Sequence, residues 1–220
     1  MLCVYCVKRE ATTEDHVIGR GFFDEPPAGG YIKVPACYPC NNKVYSRDEE
    51  YFLVALLAEA THKSPAADRV LSRLAKSHAS GRRRLTGLAR KLQANTRLLE
   101  VHSPAGLYLG RAAALALDTA RANRVLEKIV RGLFFHEFDR PLPRTAQLLV
   151  EVKPSDEVLA EPRWRRLAAI RPRRCGDVFR YAYVASPKIQ DQTDWLLGFY
   201  SSVLAVGITS PPSPLISGAS

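Results

Sequence analysis

Two Cys-x-x-Cys pairs, Cys3/Cys6 and Cys37/Cys40, stand at the start of this 220-residue chain with 30 residues between them. One such pair offers two thiolates from a tight turn, and two pairs complete the tetrahedral sphere that zinc prefers. A redox dithiol needs only one pair. Two pairs around a short, turn-rich segment therefore point to a structural Zn2+ site, with iron in a rubredoxin-like site as the alternative. Cys175 stands alone and reads as an inert thiol.

The rest of the composition bounds the partners. Hydrophobic residues make up 46% and charged residues 25%, a globular balance that excludes a wholly disordered chain. The N-terminus lacks a basic stretch followed by a long apolar run, and no spanning segment of about 18 uncharged apolar residues occurs. A cytoplasmic protein with no membrane partner is expected. The net charge of +10 favours a polyanion, of which nucleic acid is the commonest. Nine cations and no acid lie between Arg69 and Arg97, among them Arg82, Arg83, Arg84, Arg90 and Lys91, which are candidate phosphate contacts. Arg163, Arg165 and Arg166 around Trp164, with Arg171, Arg173 and Arg174, form a second acid-free patch, in which Trp164 reads as core or as a stacking ring.

Periodicity predicts an α+β fold. It comprises a zinc-stapled N-terminal unit over residues 1–50, central helices passing into a C-terminal antiparallel β segment over 51–209, and a disordered tail over 210–220. Tyr31–Val34 alternates as a short strand would. Ser46 and Glu49 have the spacing of a capping box, which also accounts for the Asp48-Glu49-Glu50 cluster. The apolar run after them reads as a core helix. Residues 69–97 read as helical with a break near Ser80-Gly81, and Ala112–Arg131 as a helix whose apolar face runs from Ala122 to Leu133. Ala146–Lys153 and Val178–Ala185 read as strands, and Trp195–Ile208 as one long strand or two. His62, His78, His102 and His136 have no ligand-like spacing.

Between and after the knuckles lie residues that zinc alone does not require. Glu14-Asp15-His16-Val17-Ile18 follows the first, and Cys37-Tyr38-Pro39-Cys40-Asn41-Asn42-Lys43 contains the second. In this order the elements resemble the HNH endonucleases of the zinc-stapled type, over about a fifth of the chain. The resemblance implies a ββα-metal unit in which a hairpin and a helix clamp one catalytic divalent ion. It implies His16 as the general base that activates water. Asp15 and Asn41, with Asn42 the rival, would be ligands of catalytic Mg2+ or Mn2+, on a DNA substrate. A neutral imidazole suits that task near neutral pH. Carboxylate and amide oxygens suit a hard ion, whereas thiolates suit zinc.

This chain has Gly19-Arg20-Gly21 where the family often has Pro, and no Asn between Val17 and Cys40. The group that orients His16 is therefore left open. A zinc ribbon that holds nucleic acid without cutting it is the competing reading, and a ribbon needs neither Asp15-His16 nor Asn41.

Overall fold

The structure is a computed structural model and describes residues 1–61, 63–79, 96–115 and 117–212. It is α+β. Strand β1 (Thr13–His16) pairs antiparallel with β2 (Lys33–Ala36), with Asp15 opposite Val34 and His16 opposite Lys33. A π-helical turn, Cys40–Val44, runs into helix α1 (Ser46–Ala60), and α2 (Pro65–Ala79) follows with Pro65 at its first position. Strands β3 (Thr96–His102) and β4 (Tyr108–Leu115) form a separate antiparallel ribbon. Helix α3 (Thr119–Phe138) leads to β5 (Gln147–Lys153) and two short helices, α4 (Ser155–Ala160) and α5 (Pro162–Ala168). Strands β6 (Arg173–Cys175), β7 (Phe179–Ala185), β8 (Thr193–Phe199) and β9 (Val203–Ser210) complete a five-stranded antiparallel sheet in the order β5-β9-β8-β7-β6.

One hydrophobic core runs from the cysteine knuckles to this sheet. It joins Cys3, Val17, Val34, Phe52, Val130, Leu133, Phe179 and Phe199. Helix α1 buries residues all around its axis, as its apolar run requires. Helix α3 lays Ala122, Val125, Leu126, Ile129, Val130 and Leu133 into the core, the face read from its periodicity. The opposite sheet face carries a smaller cluster of Val158, Trp164, Leu167, Leu196 and Val206, so Trp164 is a core residue.

Three local expectations are corrected. The capping box at Ser46 does not form: the chain enters α1 already helical at Tyr45, no side chain caps it, and Glu49 bonds Lys128 instead. The helix expected from Ala112 begins only at Thr119, because the alanine-rich stretch pairs with β3 and Asp118 caps α3 by accepting from the Arg121 N–H. Thr96 and Arg97 lie in a strand rather than in the helix read over 69–97, although α2 does end next to the expected break. Arg82, Arg83, Arg84, Arg90 and Lys91 lie outside the described residues; of the tail expected over 210–220, Ser210 instead ends a strand paired with Gln147, and residues 213–220 lie outside the described residues.

Trp195–Ile208 divides into β8 and β9 at Tyr200-Ser201, where φ is 51° and 56°. These two left-handed residues open the three-residue loop between the paired Phe199 and Val203, positions that Gly or Asn usually takes. Tyr200 sustains that conformation by full burial and by donating its hydroxyl to the Phe22 carbonyl at 2.6 Å.

Candidate functional site

The first knuckle is a small closed turn. The Cys3 N–H donates to the Arg9 carbonyl at 2.8 Å, and the Val7 N–H donates to the Cys3 carbonyl at 2.9 Å. Val7 takes a φ of 48°, an uncommon conformation for a β-branched residue that the turn imposes. The second knuckle leaves the end of β2, and the Asn41 N–H closes it on the Cys37 carbonyl at 3.0 Å. The Val4 N–H donates to the Pro35 carbonyl at 3.0 Å and stitches the two turns together.

The four sulfur ligand atoms converge within 4.8 Å of one another, and Cys6 Sγ lies 3.9 Å from Cys37 Sγ. Tetrahedral zinc with Zn–S bonds of about 2.3 Å sets sulfurs about 3.8 Å apart, so the spacing fits the ion. Cys3, Cys37 and Cys40 are buried and Cys6 is half-buried. A closed, all-thiolate site of this kind is structural rather than catalytic. Burial works to raise the Cys6 thiol, but the backbone N–H groups of Arg9 and Lys8 prevail and hold it down to about 6. The Arg9 guanidinium reaches Cys40 Sγ at 3.8 Å and sets a positive charge beside the thiolates. Cys175 is buried against the Gly30 carbonyl, and burial pushes its thiol up, as an inert cysteine requires.

Strand β1 carries Asp15 and His16 out of this cluster. Asp15 is only 6% exposed. Its Oδ1 accepts the His16 N–H at 2.8 Å, and its Oδ2 lies 2.8 Å from Lys128 Nζ. Lys128, 1% exposed on α3, also donates to Glu49 Oε1 at 2.5 Å and to the His16 carbonyl at 3.1 Å. The ammonium lies over the rings of Tyr5 and Tyr45, at 5.4 and 6.0 Å from their centroids. Two carboxylates thus share one buried ammonium. Burial holds the Glu49 carboxyl above its ordinary range, against the opposing pull of Lys128. Burial and then the Asp15 charge keep the Tyr5 hydroxyl protonated.

His16 is half-buried, with its ring edge-on to Tyr31 at 4.8 Å between centroids. Burial lowers its pKa and the Arg20 charge adds to that, so the neutral imidazole is favoured. The backbone of His16 is held at both ends, its N–H by Asp15 and its carbonyl by Lys128, and its ring packs at right angles to that of Tyr31. Helix α3 approaches so closely here that a Cβ on Gly132 would meet Val17 Cγ2 at 2.7 Å.

Asn41 and Asn42 are placed differently. Asn41 donates its Nδ2 to the Glu14 carbonyl at 3.0 Å and to Thr13 Oγ1 at 3.1 Å, so it is fastened to β1. Its Oδ1 is left as the free amide oxygen. Asn42 is exposed and bonds back to the Tyr38 carbonyl within its own turn at 3.3 Å. Of the two, Asn41 is the one that stands beside the Asp15-His16 strand.

Two cations of the basic stretch are committed to the fold. Arg69 pairs with Asp177 and Asp24, and Arg73 pairs with Asp24 and donates to the Gly21 carbonyl. Lys128 is the residue that sequence reasoning missed. It stands three residues after Val125 and four before Gly132, on an apolar row of α3, and a lone lysine there was the available signal.

No helix among the described residues is long and apolar enough to cross a membrane. No family model matches the chain, and neither a curated protein nor a solved structure matches it.

Proposed function

We propose that the chain is a metal-dependent endonuclease that hydrolyses phosphodiester bonds in DNA, with His16 as its general base. One observation carries the reading. The asparagine that follows the second knuckle is bonded to Thr13 and Glu14, the two residues that precede Asp15 and His16 on the same strand. The Asn of the HNH resemblance is thus fastened to the strand that carries the Asp-His pair.

The donor chemistry fits a second, hard ion. Each carboxylate oxygen of Asp15 retains a lone pair beyond the contact it makes, and Asn41 offers Oδ1. The cluster of Asp15, Glu49 and Lys128 contains one more carboxylate than ammonium, which favours a cation nearby. Mg2+ or Mn2+, when bound, would neutralise charge on the scissile phosphate. Asp15 and Asn41 would hold it, while the four cysteines keep zinc for the fold. His16, kept neutral by burial and Arg20, would take the proton of the attacking water at a ring nitrogen. Tyr31 limits the ring's rotation, and Lys128 fixes the backbone that carries it. The positive charge of the chain would supply affinity for DNA through counterion release.

The burial of Asp15, with both oxygens engaged, favours a second reading: a zinc-stapled module that binds nucleic acid without cutting it. Plasmid nicking separates the two. Cleavage that requires Mg2+ or Mn2+, and that stops at EDTA levels which leave zinc content unchanged, supports the nuclease. Retention of DNA without cleavage under both ions overturns it in favour of the module.

A further inference from the structure

We propose that the cleft between helices α4–α5 and the outer face of the C-terminal sheet binds a nucleoside phosphomonoester, with Arg174 and Arg180 holding the phosphate. The two arginines are direct cross-strand partners on β6 and β7. Side chains so placed are about 4.5–5.5 Å apart at Cβ, and like charges there repel. No carboxylate among the described residues pairs with either one. By contrast, neighbouring Arg163 is matched by Asp194 and Arg173 by Glu137. An anion that bridges both guanidiniums would turn this repulsion into a bidentate clamp.

The sheet is shaped for this arrangement. The Arg180 side chain lies on Gly198 of β8, where a Cβ would stand 2.9 Å from its Cγ and Nε. A glycine inside a strand marks such a close approach. Both arginines face away from α3, since Phe179 and Tyr181 on either side of Arg180 enter the main core. The cleft has a volume of about 430 Å3, within the usual range for small-molecule sites. Val158, Leu167 and Leu196 line it from the buried side, and Leu159 and Ile170 stand exposed at its rim. Apolar walls suit a flat ring, and the arginine pair suits the phosphate attached to it. The sheet lies between this cleft and His16, so the inference does not rest on the nuclease reading.

The ligand chemistry could come from a free nucleotide or from the phosphorylated end of a nucleic-acid strand. Calorimetric titration of the full chain with AMP, GMP, CMP and UMP tests the first source. Titration with a tetranucleotide carrying either a 5′-phosphate or a 5′-hydroxyl tests the second. Saturable binding is expected for a phosphorylated probe but not for adenosine or the 5′-hydroxyl strand. Arg174→Gln with Arg180→Gln should weaken it at least about tenfold, a difference of about 1.4 kcal/mol. That variant should melt no lower than the parent, because a repulsive pair is removed. Arg165→Gln with Arg166→Gln changes the net charge equally outside the cleft and should leave binding within about twofold. Gly198→Ala keeps both guanidiniums but displaces Arg180, and should also weaken binding. Absence of binding by every phosphorylated probe overturns the proposal. So does equal binding of the unphosphorylated controls, or an equal loss in the two double variants.

Discussion

Replacing Lys128 with Met keeps the length of the side chain and removes its charge. Lys128 is 1% exposed, and it leaves behind Asp15 and Glu49, whose side chains are 9% and 17% exposed. Removing one partner from a buried ion pair costs about 3–5 kcal/mol, because the surviving charge has no counterpart. Glu49 retains some solvent and can take up a proton, which argues for the lower end, about 3 kcal/mol at neutral pH. The pH dependence fixes the cause. Burial already holds the Glu49 carboxyl above its ordinary range, and Lys128 opposes this by charge and hydrogen bond. Without Lys128 the carboxyl rises further. A carboxyl raised in the folded state keeps its proton where the unfolded chain has lost it, so stability falls as pH rises through that window. The deficit of Lys128→Met relative to the parent should therefore be larger at about pH 7.5 than at about pH 5.5. Urea titration followed by the fluorescence of buried Trp164 and Trp195 measures it, with the parent at each pH as reference so that zinc-linked losses cancel. Adding Glu49→Gln should recover part of the loss at the higher pH. A deficit below about 1 kcal/mol at both pH values, or one that grows on acidification, would refute the buried-cluster account.

Elemental analysis should find one zinc per chain. Cys37→Ser should lose it and destabilise the N-terminal turns, whereas Cys175→Ser should change stability by less than about 1 kcal/mol. Asn41→Ala removes two bonds to β1 and should cost about 1–2 kcal/mol in thermal unfolding, while Asn42→Ala should be close to neutral. Gly132→Ala drives a methyl into Val17 and should lose about 1–2 kcal/mol net of its helix-propensity gain. Val17→Ala in the same chain should recover part of that loss, and no recovery would place the defect elsewhere.

The knuckles were legible because ligand spacing is a local property: two turns of four residues state their geometry in the sequence itself. The buried face of α3 was legible for the same reason, through its 3.6-residue period. What the sequence concealed depends on contacts between distant segments. Lys128 meets Asp15 across 113 positions and Glu49 across 79, and only the packing of α3 on β1 and α1 makes a lysine acceptable there. The capping box failed because a π-helical turn already supplied the helix start, releasing Glu49 for Lys128. The alanine stretch before α3 has helical propensity, yet pairing with β3 prevails. The Tyr200-Ser201 turn carries neither Gly nor Asn, since a buried hydroxyl bond to Phe22 replaces intrinsic preference. Within the candidate site, the order of Asp15, His16 and Asn41 relative to the knuckles could be read from the sequence. The hydrogen bonds that separate Asn41 from Asn42 could not.

General-base catalysis by His16 is the step on which the proposed nuclease activity depends. The most direct test compares plasmid cleavage by the parent and by His16→Ala, in Mg2+ and in Mn2+, with zinc content and DNA affinity measured on the same samples. General-base loss typically costs about 10²–10⁴ in rate. A loss of that size is expected, with zinc and DNA affinity nearly unchanged. Excess Mn2+ should partly restore Asp15→Ala and Asn41→Ala but not His16→Ala. Cleavage by His16→Ala at the parental rate would contradict this role.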